Sequence, residues 1–194
     1  MKKGGQHAEE PGRDLYEWVQ ALVWSVLFIV LLFTAAIRLV GVDGHSMVPT
    51  LQNGDRLLIV NSTVSKDYRT GSIVVLRKGS ALSDPIVKRV IAVAGQTVDI
   101  DFSTGSVYVD GKLLEENYIR ELTFTAEGEQ FPLTVPAGCV FVMGDNRNNS
   151  MDSRDARIGP VDTRYIIGRA VFLVFPGADF QTQQRDYSRI GLLA

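Results

Sequence analysis

The chain has 194 residues and a formal net charge of −2. This length allows one domain, or one domain with a small appendage, and is sufficient to bury a hydrophobic core. The charge balance lacks the basic footprint of a nucleic-acid-binding domain, so no nucleic-acid partner is expected. Cys139 is the single cysteine, which excludes an internal disulfide and a cysteine metal cluster. Its apolar neighbours predict a small core residue.

An apolar segment near the N-terminus predicts a membrane-spanning helix. The stretch from Trp18 to Ile37 contains no charged residue. As a helix it would be about 30 Å long, which matches the hydrocarbon thickness of a bilayer. The competing interpretation is a cleavable signal peptide, since Thr34-Ala35-Ala36 has the small residues of a cleavage site. The run is longer than the roughly 7–15 apolar residues of a signal peptide, which favours a retained anchor over residues 15–38.

The basic residues around this segment predict its orientation in the cell membrane. They produce a small positive-inside bias, from Lys2, Lys3 and Arg13 before the segment and from Arg38 and Arg56 after it. We therefore expect a cytoplasmic tail over residues 1–14, a single-pass anchor, and an extracytoplasmic domain over residues 39–194. The tail is polar and contains glycine, which is typical of a short disordered terminus.

The chain beyond residue 41 has the pattern of short antiparallel strands. Runs rich in Val, Ile and Phe are bounded by Gly, Asp, Asn or Pro. These runs are Arg56–Val60, Ser72–Arg77, Ile86–Ala94, Thr97–Phe102, Val107–Val109, Cys139–Met143 and Ile166–Phe175. Asp110-Gly111 predicts a type I′ hairpin between residues 107–109 and 112–114. The predicted fold class is mostly β, with closed or packed antiparallel sheets, and the more polar residues 103–138 are interpreted as an insertion.

A serine between a glycine and a proline stands at the start of this β region. Gly44 permits backbone angles closed to other residues, and Pro49 restricts its own backbone and that of Val48. We expect a rigid loop that presents Ser46 at a fixed angle. The alternative is an ordinary turn residue, because serine is common between glycine and proline in turns.

A reactive serine needs a base, and neither histidine suits that role. His7 precedes the apolar segment and would lie on its other side. His45 is the immediate neighbour of Ser46, and adjacent side chains of an extended backbone point apart. We interpret His45 as a solvent-facing loop residue.

Lysine is the remaining type of base, and Lys88 has the most unusual surroundings of the lysines. It lies in the strand-like run Ile86–Val93, whose alternation places Lys88 on one face and Arg89 on the other. One of these two cations must share an apolar face, where desolvation lowers the pKa of a lysine towards neutrality. The alternative is an edge strand whose cationic groups both extend to water.

The stretch from Gly144 to Arg154 alternates acids and arginines after a strongly apolar run. A calcium loop does not fit, because Arg147 would occupy its third position and Ser150 its sixth. A solvated turn is a further alternative. The density of Asp and Arg favours a paired network that holds the loop rigid and orients a nearby lysine through Ser150.

Together these features resemble the type I signal peptidases, membrane-bound Ser/Lys proteases that remove signal peptides from exported preproteins. The resemblance covers most of the chain. Within the family, the chain is similar to the short Gram-positive-type members. Four stretches behind the anchor carry it, in the order that the family has them. They are Gly44-His45-Ser46-Met47-Val48-Pro49-Thr50-Leu51, Asn53-Gly54-Asp55-Arg56-Leu57, Val87-Lys88-Arg89-Val90, and Gly144-Asp145-Asn146-Arg147 continuing through Ser150, Asp152, Ser153 and Arg154.

The resemblance implies a role for each matching residue. Ser46 would be the nucleophile, Lys88 the general base, and Ser150 the residue that orients the amine of Lys88. A supporting polar network would consist of Asp145, Arg147, Asp152, Arg154 and Arg89. The implied fold is an antiparallel β catalytic domain with a small β insertion, and the implied chemistry requires no metal and no cofactor.

The resemblance also implies the substrate and its surroundings. Secreted preproteins would be cut after small residues at Ala-x-Ala type sites, near the lipid bilayer and the secretion translocon. The shallow apolar pockets for those residues would be lined by Val42, Met47, Leu51, Leu57 and Val87. An extended substrate would bind by strand addition.

One departure from the family pattern concerns Gly44. Some members carry a serine two residues before the nucleophile, whose hydroxyl contributes to the oxyanion hole. With glycine at this position, the hole would depend on the backbone N–H of Ser46 and on another donor or water.

Three other functions are alternatives to this one. Self-cleaving Ser/Lys repressors are cytoplasmic, and the apolar segment argues against them. A membrane-anchored β adaptor that binds exported chains without cutting them would not need a Ser46/Lys88 pair. A processing enzyme dedicated to one substrate, such as a pilin or a spore-coat precursor, remains compatible with the sequence.

Overall fold

The computed structural model describes residues 13–77, 84–179 and 181–193. It divides into two units, with the division between Ala36 and Ile37. The described part of the first unit is a single helix, α1, Arg13–Ala36. Residues 1–12 of the predicted tail lie outside the described residues.

The side chains of α1 are exposed along nearly the whole helix, although most of them are apolar. The segment Asp14–Ala36 is long and apolar enough to cross a membrane. A helix that is apolar on every side is typical of a membrane span or of the centre of a large protein. The predicted anchor, residues 15–38, ends two residues beyond α1, because Ile37 and Arg38 pair with Val60 and Ile59 in a sheet.

The second unit is mostly β, as predicted, and its larger sheet has eight strands. All of its pairings are antiparallel, in the order β1-β2-β11-β3-β4-β9-β10, with β12 on β11. The strands are β1 Ile37–Gly41, β2 Arg56–Asn61, β3 Ile73–Leu76, β4 Ile86–Val93, β9 Cys139–Met143, β10 Val161–Asp162, β11 Ile166–Phe175 and β12 Gly191–Leu192. Two short 3-10 helices, Thr163–Tyr165 and Tyr187–Arg189, precede β11 and β12.

A second, four-stranded sheet is built mainly from the predicted insertion. Its order is β7-β6-β5-β8, with β5 Thr97–Asp101, β6 Ser106–Val109, β7 Lys112–Leu113 and β8 Leu133–Thr134. Asp110 and Gly111 have φ angles of 50° and 74° and join β6 to β7 as the predicted hairpin turn. The sheet also includes β5, so this subdomain begins before residue 103.

Strand β4 lies at the centre of the unit and contributes to three hydrophobic clusters. Val87 packs in the first cluster, Val90 in the second, and Ile91 and Ala92 in the third. Because both faces of β4 are covered, both cations of the strand are buried, Lys88 being 2% and Arg89 4% exposed. The edge-strand alternative for this segment is therefore wrong.

Each of the seven runs interpreted as strands coincides with a strand of the structure to within one residue at either end. Four strands of the described residues were not predicted. Three of them, β8, β10 and β12, have two residues each, and β1 has five. Cys139 is partly buried against the third cluster, close to the expectation of a core residue.

Candidate active site

Ser46 and Lys88 come together at the centre of the second unit. Gly44, with a φ of 99°, begins the turn that carries Ser46, as its conformational freedom predicted. Lys88 lies on β4, and its Nζ donates to Ser46 Oγ at 2.6 Å. When the amine is neutral, the same separation allows the hydroxyl to donate to Nζ, which is the arrangement of a nucleophile and its base.

Burial gives Lys88 the protonation behaviour of a base. Desolvation lowers its pKa from 10.5 to about 8, and the positive charge of Arg154 acts in the same direction. Asp152, Glu127 and Asp145 oppose this shift because their negative charges favour the ammonium form. A substantial neutral fraction therefore exists near physiological pH.

The loop that follows β9 supplies a buried ionic network around this pair. Asp145 accepts two hydrogen bonds from Arg89, at 2.9 Å from Nε and 2.8 Å from a terminal nitrogen. Asp152 binds Arg154 in the same bidentate manner, at 2.9 and 2.8 Å. All four residues are at most 4% exposed, so each charge depends on its partner for compensation.

Ser150 bonds to this network in the structure. Its hydroxyl donates to Asp152 Oδ2 at 2.8 Å, and the same carboxylate oxygen accepts the backbone N–H of Gly144 at 2.9 Å. Within the hydrogen bonds of the described residues, Lys88 Nζ bonds to Ser46 and not to Ser150. The orienting role for Ser150 thus stays a prediction.

At Gly144 this loop lies close to the backbone of Ser46. A Cβ at this position would overlap Ser150 Oγ and would lie 2.5 Å from the carbonyl oxygen of Ser46. That carbonyl also accepts the N–H of Asn146 at 3.0 Å, while the carbonyl of His45 accepts the Asn146 amide. His45 is partly buried here and thus less exposed than the predicted solvent-facing loop residue.

The five predicted pocket residues belong to one hydrophobic cluster beside the pair. Met47, Leu51 and Leu57 form its interior, while Val42 and Val87 are slightly more exposed, at 6% and 8%. Val42 lies just before the serine loop, residues 44–51, and Val87 lies near the start of β4. The role of all five as pocket residues stays a prediction.

The serine loop is held at its end by the carboxylate of Asp55 and its partners, which we call the Asp55 clamp. This arrangement was not predicted from the sequence. Asp55 is fully buried and accepts the backbone N–H groups of Gln52 and Gly177 at 2.8 and 2.6 Å. Arg189 bonds to the same carboxylate and donates to the carbonyl of Thr50 at 3.1 Å. In the sequence, Asp55 is part of the motif Asn53-Gly54-Asp55-Arg56-Leu57. No pattern of residues around Arg189 indicates that its partner lies 134 positions earlier in the chain.

The insertion also contacts the candidate site, which the sequence did not indicate. Glu116 pairs with Arg147, which is fully buried and also donates to Thr123 at 3.0 Å. Glu127 lies 3.5 Å from Arg154. Burial raises the pKa of Glu127 above its usual value, although the neighbouring positive charge of Arg154 opposes this shift. The acidic residues of the insertion thus balance arginines of the loop after β9.

The comparison with protein-family models gives one match. Residues 15–175 match the model described as signal peptidase, peptidase S26. This span includes all but the first two residues of α1, and the serine loop, β4 and the loop after β9. The chain therefore belongs to the signal peptidase family, peptidase S26, and is a serine endopeptidase.

Curated relatives agree with this assignment. A signal peptidase I of Bacillus licheniformis is 35% identical over 171 residues, covering 84% of this chain and 90% of the relative. Signal peptidase I T of Bacillus subtilis is 38% identical over 178 residues, covering 87% of this chain and 90% of the relative. A crystal structure of a signal peptidase I from Enterococcus faecalis has 30% identity and a TM-score of 0.43, covering 52% of this chain and 94% of that one.

Proposed function

We propose that this protein is a membrane-anchored Ser/Lys endopeptidase that removes signal peptides from secreted preproteins after Ala-x-Ala type sites. The observation that carries the proposal is the 2.6 Å separation between Lys88 Nζ and Ser46 Oγ in a buried setting. The depressed pKa of Lys88, about 8, supports a lysine that acts as a base.

The reaction would proceed by acyl transfer. Neutral Lys88 accepts the proton of the Ser46 hydroxyl, and Oγ attacks the scissile carbonyl carbon. The resulting ammonium then donates its proton to the leaving amine, which releases the mature protein. A water molecule, deprotonated by the same lysine, hydrolyses the acyl-enzyme and restores the serine.

The backbone N–H of Ser46 is the proposed oxyanion donor. Among the hydrogen bonds of the described residues, this N–H has no protein acceptor, which supports its availability to substrate. The Asn146 bonds to the carbonyls of His45 and Ser46 would hold the peptide unit in place. Pre-organised donors of this kind stabilise the developing charge without reorganisation.

Specificity for small residues would come from the apolar wall beside the serine. Val42 and Val87 would flank an extended substrate, and the packed side chains of Met47, Leu51 and Leu57 would leave only a shallow depression beneath it. A large side chain could enter only by displacing core residues, which is costly in a close-packed interior.

The proposed location is the cell membrane, with a cytoplasmic N-terminus and the β unit on the other side, near the secretion translocon. The apolar α1 and the basic residues before it support this arrangement. Confinement to the bilayer would raise the effective concentration of a substrate that is itself held there by its apolar segment. Protease protection in intact cells and in inverted vesicles tests the orientation.

The test of the activity is cleavage of a purified preprotein by the full chain in detergent micelles. We expect Ser46→Ala and Lys88→Met each to abolish cleavage. Matched substitutions at exposed positions, Ser103→Ala and Lys66→Met, should leave it unchanged. A substrate with leucine in place of the alanine before the bond should be resistant. Cleavage by Lys88→Met at the normal rate would refute the Ser/Lys mechanism.

A further inference from the structure

A short segment of the insertion, residues 116–120, contacts both the loop that carries Ser46 and the loop after β9. On one side, Ile119 forms an antiparallel bridge with Pro49, and the Thr50 hydroxyl donates to the carbonyl of Tyr118 at 3.4 Å. On the other side, the N–H of Arg120 donates to the carbonyl of Asp145 at 3.0 Å. The segment therefore connects the serine loop to the loop after β9.

The ring of Tyr118 lies over the guanidinium of Arg89, with 4.1 Å between the ring centroid and Cζ. The edges of this guanidinium are occupied by the carboxylate of Asp145 and by the carbonyl of Gly71 at 2.9 Å. A terminal nitrogen also lies 3.4 Å from the Thr50 hydroxyl. The aromatic ring thus covers a face of a group whose edges already have partners, a geometry that favours attraction between the cation and the ring.

The hydroxyl of Tyr118 makes a third connection. It donates to Glu116 Oε1 at 3.2 Å, and the same carboxylate pairs with the buried Arg147. Burial and the adjacent negative charge of Glu116 raise the pKa of Tyr118. The phenol therefore stays protonated over the working pH range and remains a donor.

We infer that Tyr118 is a positioning residue for the Ser46–Lys88 pair, acting through Arg89 and Thr50. Arg89 is the next residue after Lys88 on β4, and Thr50 belongs to the turn that presents Ser46. Loss of the ring uncovers the guanidinium of Arg89 but leaves the bond from Thr50 to the backbone carbonyl of residue 118. Strand β4 is then held less firmly against the turn that carries Ser46, and the 2.6 Å contact between Nζ and Oγ is less well maintained. This inference rests on the proposed function, because it assumes that those two atoms react.

The test compares three tyrosine variants of the full chain in detergent micelles. Tyr118→Leu removes the ring and the hydroxyl, Tyr118→Phe removes only the hydroxyl, and Tyr108→Leu is a matched control on β6 of the smaller sheet. We expect kcat to fall about tenfold or more in Tyr118→Leu, with KM unchanged, since the lost contact orders the reacting groups and not the substrate pockets. Tyr118→Phe should retain at least about a third of the activity, because it keeps the ring over Arg89.

A pair of inhibitors separates positioning from a general loss of structure. A peptide aldehyde ending in Ala-x-Ala adds to Ser46 and resembles the transition state, whereas the matching peptide alcohol only occupies the pockets. In Tyr118→Leu the Kd of the aldehyde should rise by the factor by which kcat/KM falls, and the Kd of the alcohol should not change. Thermal unfolding of each variant accompanies these measurements.

The outcomes distinguish this inference from the proposed function. If wild type does not cleave, or if Ser46→Ala cleaves as well as wild type, the proposed function is refuted. If wild type cleaves and Tyr118→Leu retains its kcat, only the role of Tyr118 is refuted. Equal weakening of aldehyde and alcohol binding would also refute it, because a distorted fold and not a displaced pair would then explain the loss.

Discussion

Lys88 Nζ and Ser46 Oγ lie 2.6 Å apart although the two residues are separated by 42 positions in the chain. The amine reaches this contact from a strand that is covered on both faces, and Lys88 is only 2% exposed. The burial that brings the two groups together also lowers the pKa of the amine. The short Nζ–Oγ distance and the lowered pKa of Lys88 therefore both result from the burial of this side chain.

The rate of cleavage should depend on pH through Lys88. With a pKa of about 8, the amine is mainly protonated below that pH and cannot accept the serine proton. We expect kcat/KM to rise about tenfold per pH unit on the acid side and to level off above about pH 8. Initial rates across buffers of constant ionic strength measure this profile. A rate independent of pH from about 6 to 10 would contradict the assignment of lysine as the base.

Replacing Lys88 by methionine should stabilise the fold at neutral pH while it abolishes activity. A pKa lowered from 10.5 to about 8 corresponds to roughly 3 kcal/mol against the charged form. The lost hydrogen bond to Ser46 offsets about 1 kcal/mol of the gain, which leaves a net increase of about 2 kcal/mol in the free energy of unfolding.

The gain in the free energy of unfolding in Lys88→Met should depend on pH, because it arises from the cost of burying the charged amine. Between about pH 8 and 10.5 the unfolded lysine binds more protons than the folded one, so wild-type stability rises with pH over that window. The advantage of Lys88→Met should shrink across the same window. Lys112→Met, at an exposed position of β7, is the control. Circular dichroism is the suitable probe, because the two tryptophans, Trp18 and Trp24, both lie in α1. Equal or lower stability of Lys88→Met at pH 7 would contradict this account.

Gly144→Ala should impair catalysis strongly. The added methyl group would overlap Ser150 Oγ and press on the carbonyl of Ser46, so the loop after β9 must move away from the serine. We expect kcat to fall at least about tenfold and stability to fall by about 1–3 kcal/mol, as in other overpacked sites. Gly191→Ala has open space around the new methyl group and should behave as wild type in both assays. A fully active Gly144→Ala would show that the close approach is not required.

The Asp55 clamp should matter more for stability than any exposed ion pair. Asp55→Ala leaves the N–H groups of Gln52 and Gly177 without their acceptor and should cost about 3 kcal/mol or more. Arg189→Met should cost less, about 1–2 kcal/mol, because the carboxylate keeps both backbone donors.

Arg164→Met provides the comparison for this series. Arg164 pairs with Asp162, but its side chain is 82% exposed, so its loss should change stability by at most about 1 kcal/mol. Denaturant midpoints of the three variants give the order directly. A midpoint for Asp55→Ala close to that of Arg164→Met would mean that the clamp contributes little.

Local patterns were sufficient to predict α1 and the longer strands of this chain, except β1. The apolar run over residues 18–37, the Asp110-Gly111 turn and the alternating Val and Ile runs each depend on interactions between near neighbours, so they can be read directly. Strand β1 was missed because Ile37–Gly41 continues an apolar segment, and only its pairing with β2 ends the helix at Ala36.

The residue types of the candidate site and the Ser46–Lys88 pair were predicted from the sequence, whereas the individual ion pairs around them were not. Motif order pointed to Ser46, Lys88 and the Asp145–Arg154 stretch. The pairing of Arg89 with Asp145, and of Arg154 with Asp152, selects among several acids and arginines that the sequence presents as equivalent. Glu116, Tyr118 and Arg189 carried no motif, since their partners are distant in the chain.

By itself the sequence determined that this chain has one apolar segment of membrane-spanning length, a β-rich remainder and a serine without a usable histidine. These properties follow from composition and from periodicity over a few residues. The tertiary structure alone decided that Lys88 is buried against Ser46 and that a segment of the insertion connects the two loops around them. Burial and long-range pairing depend on how strands from the whole unit pack around β4, which no local pattern of residues specifies.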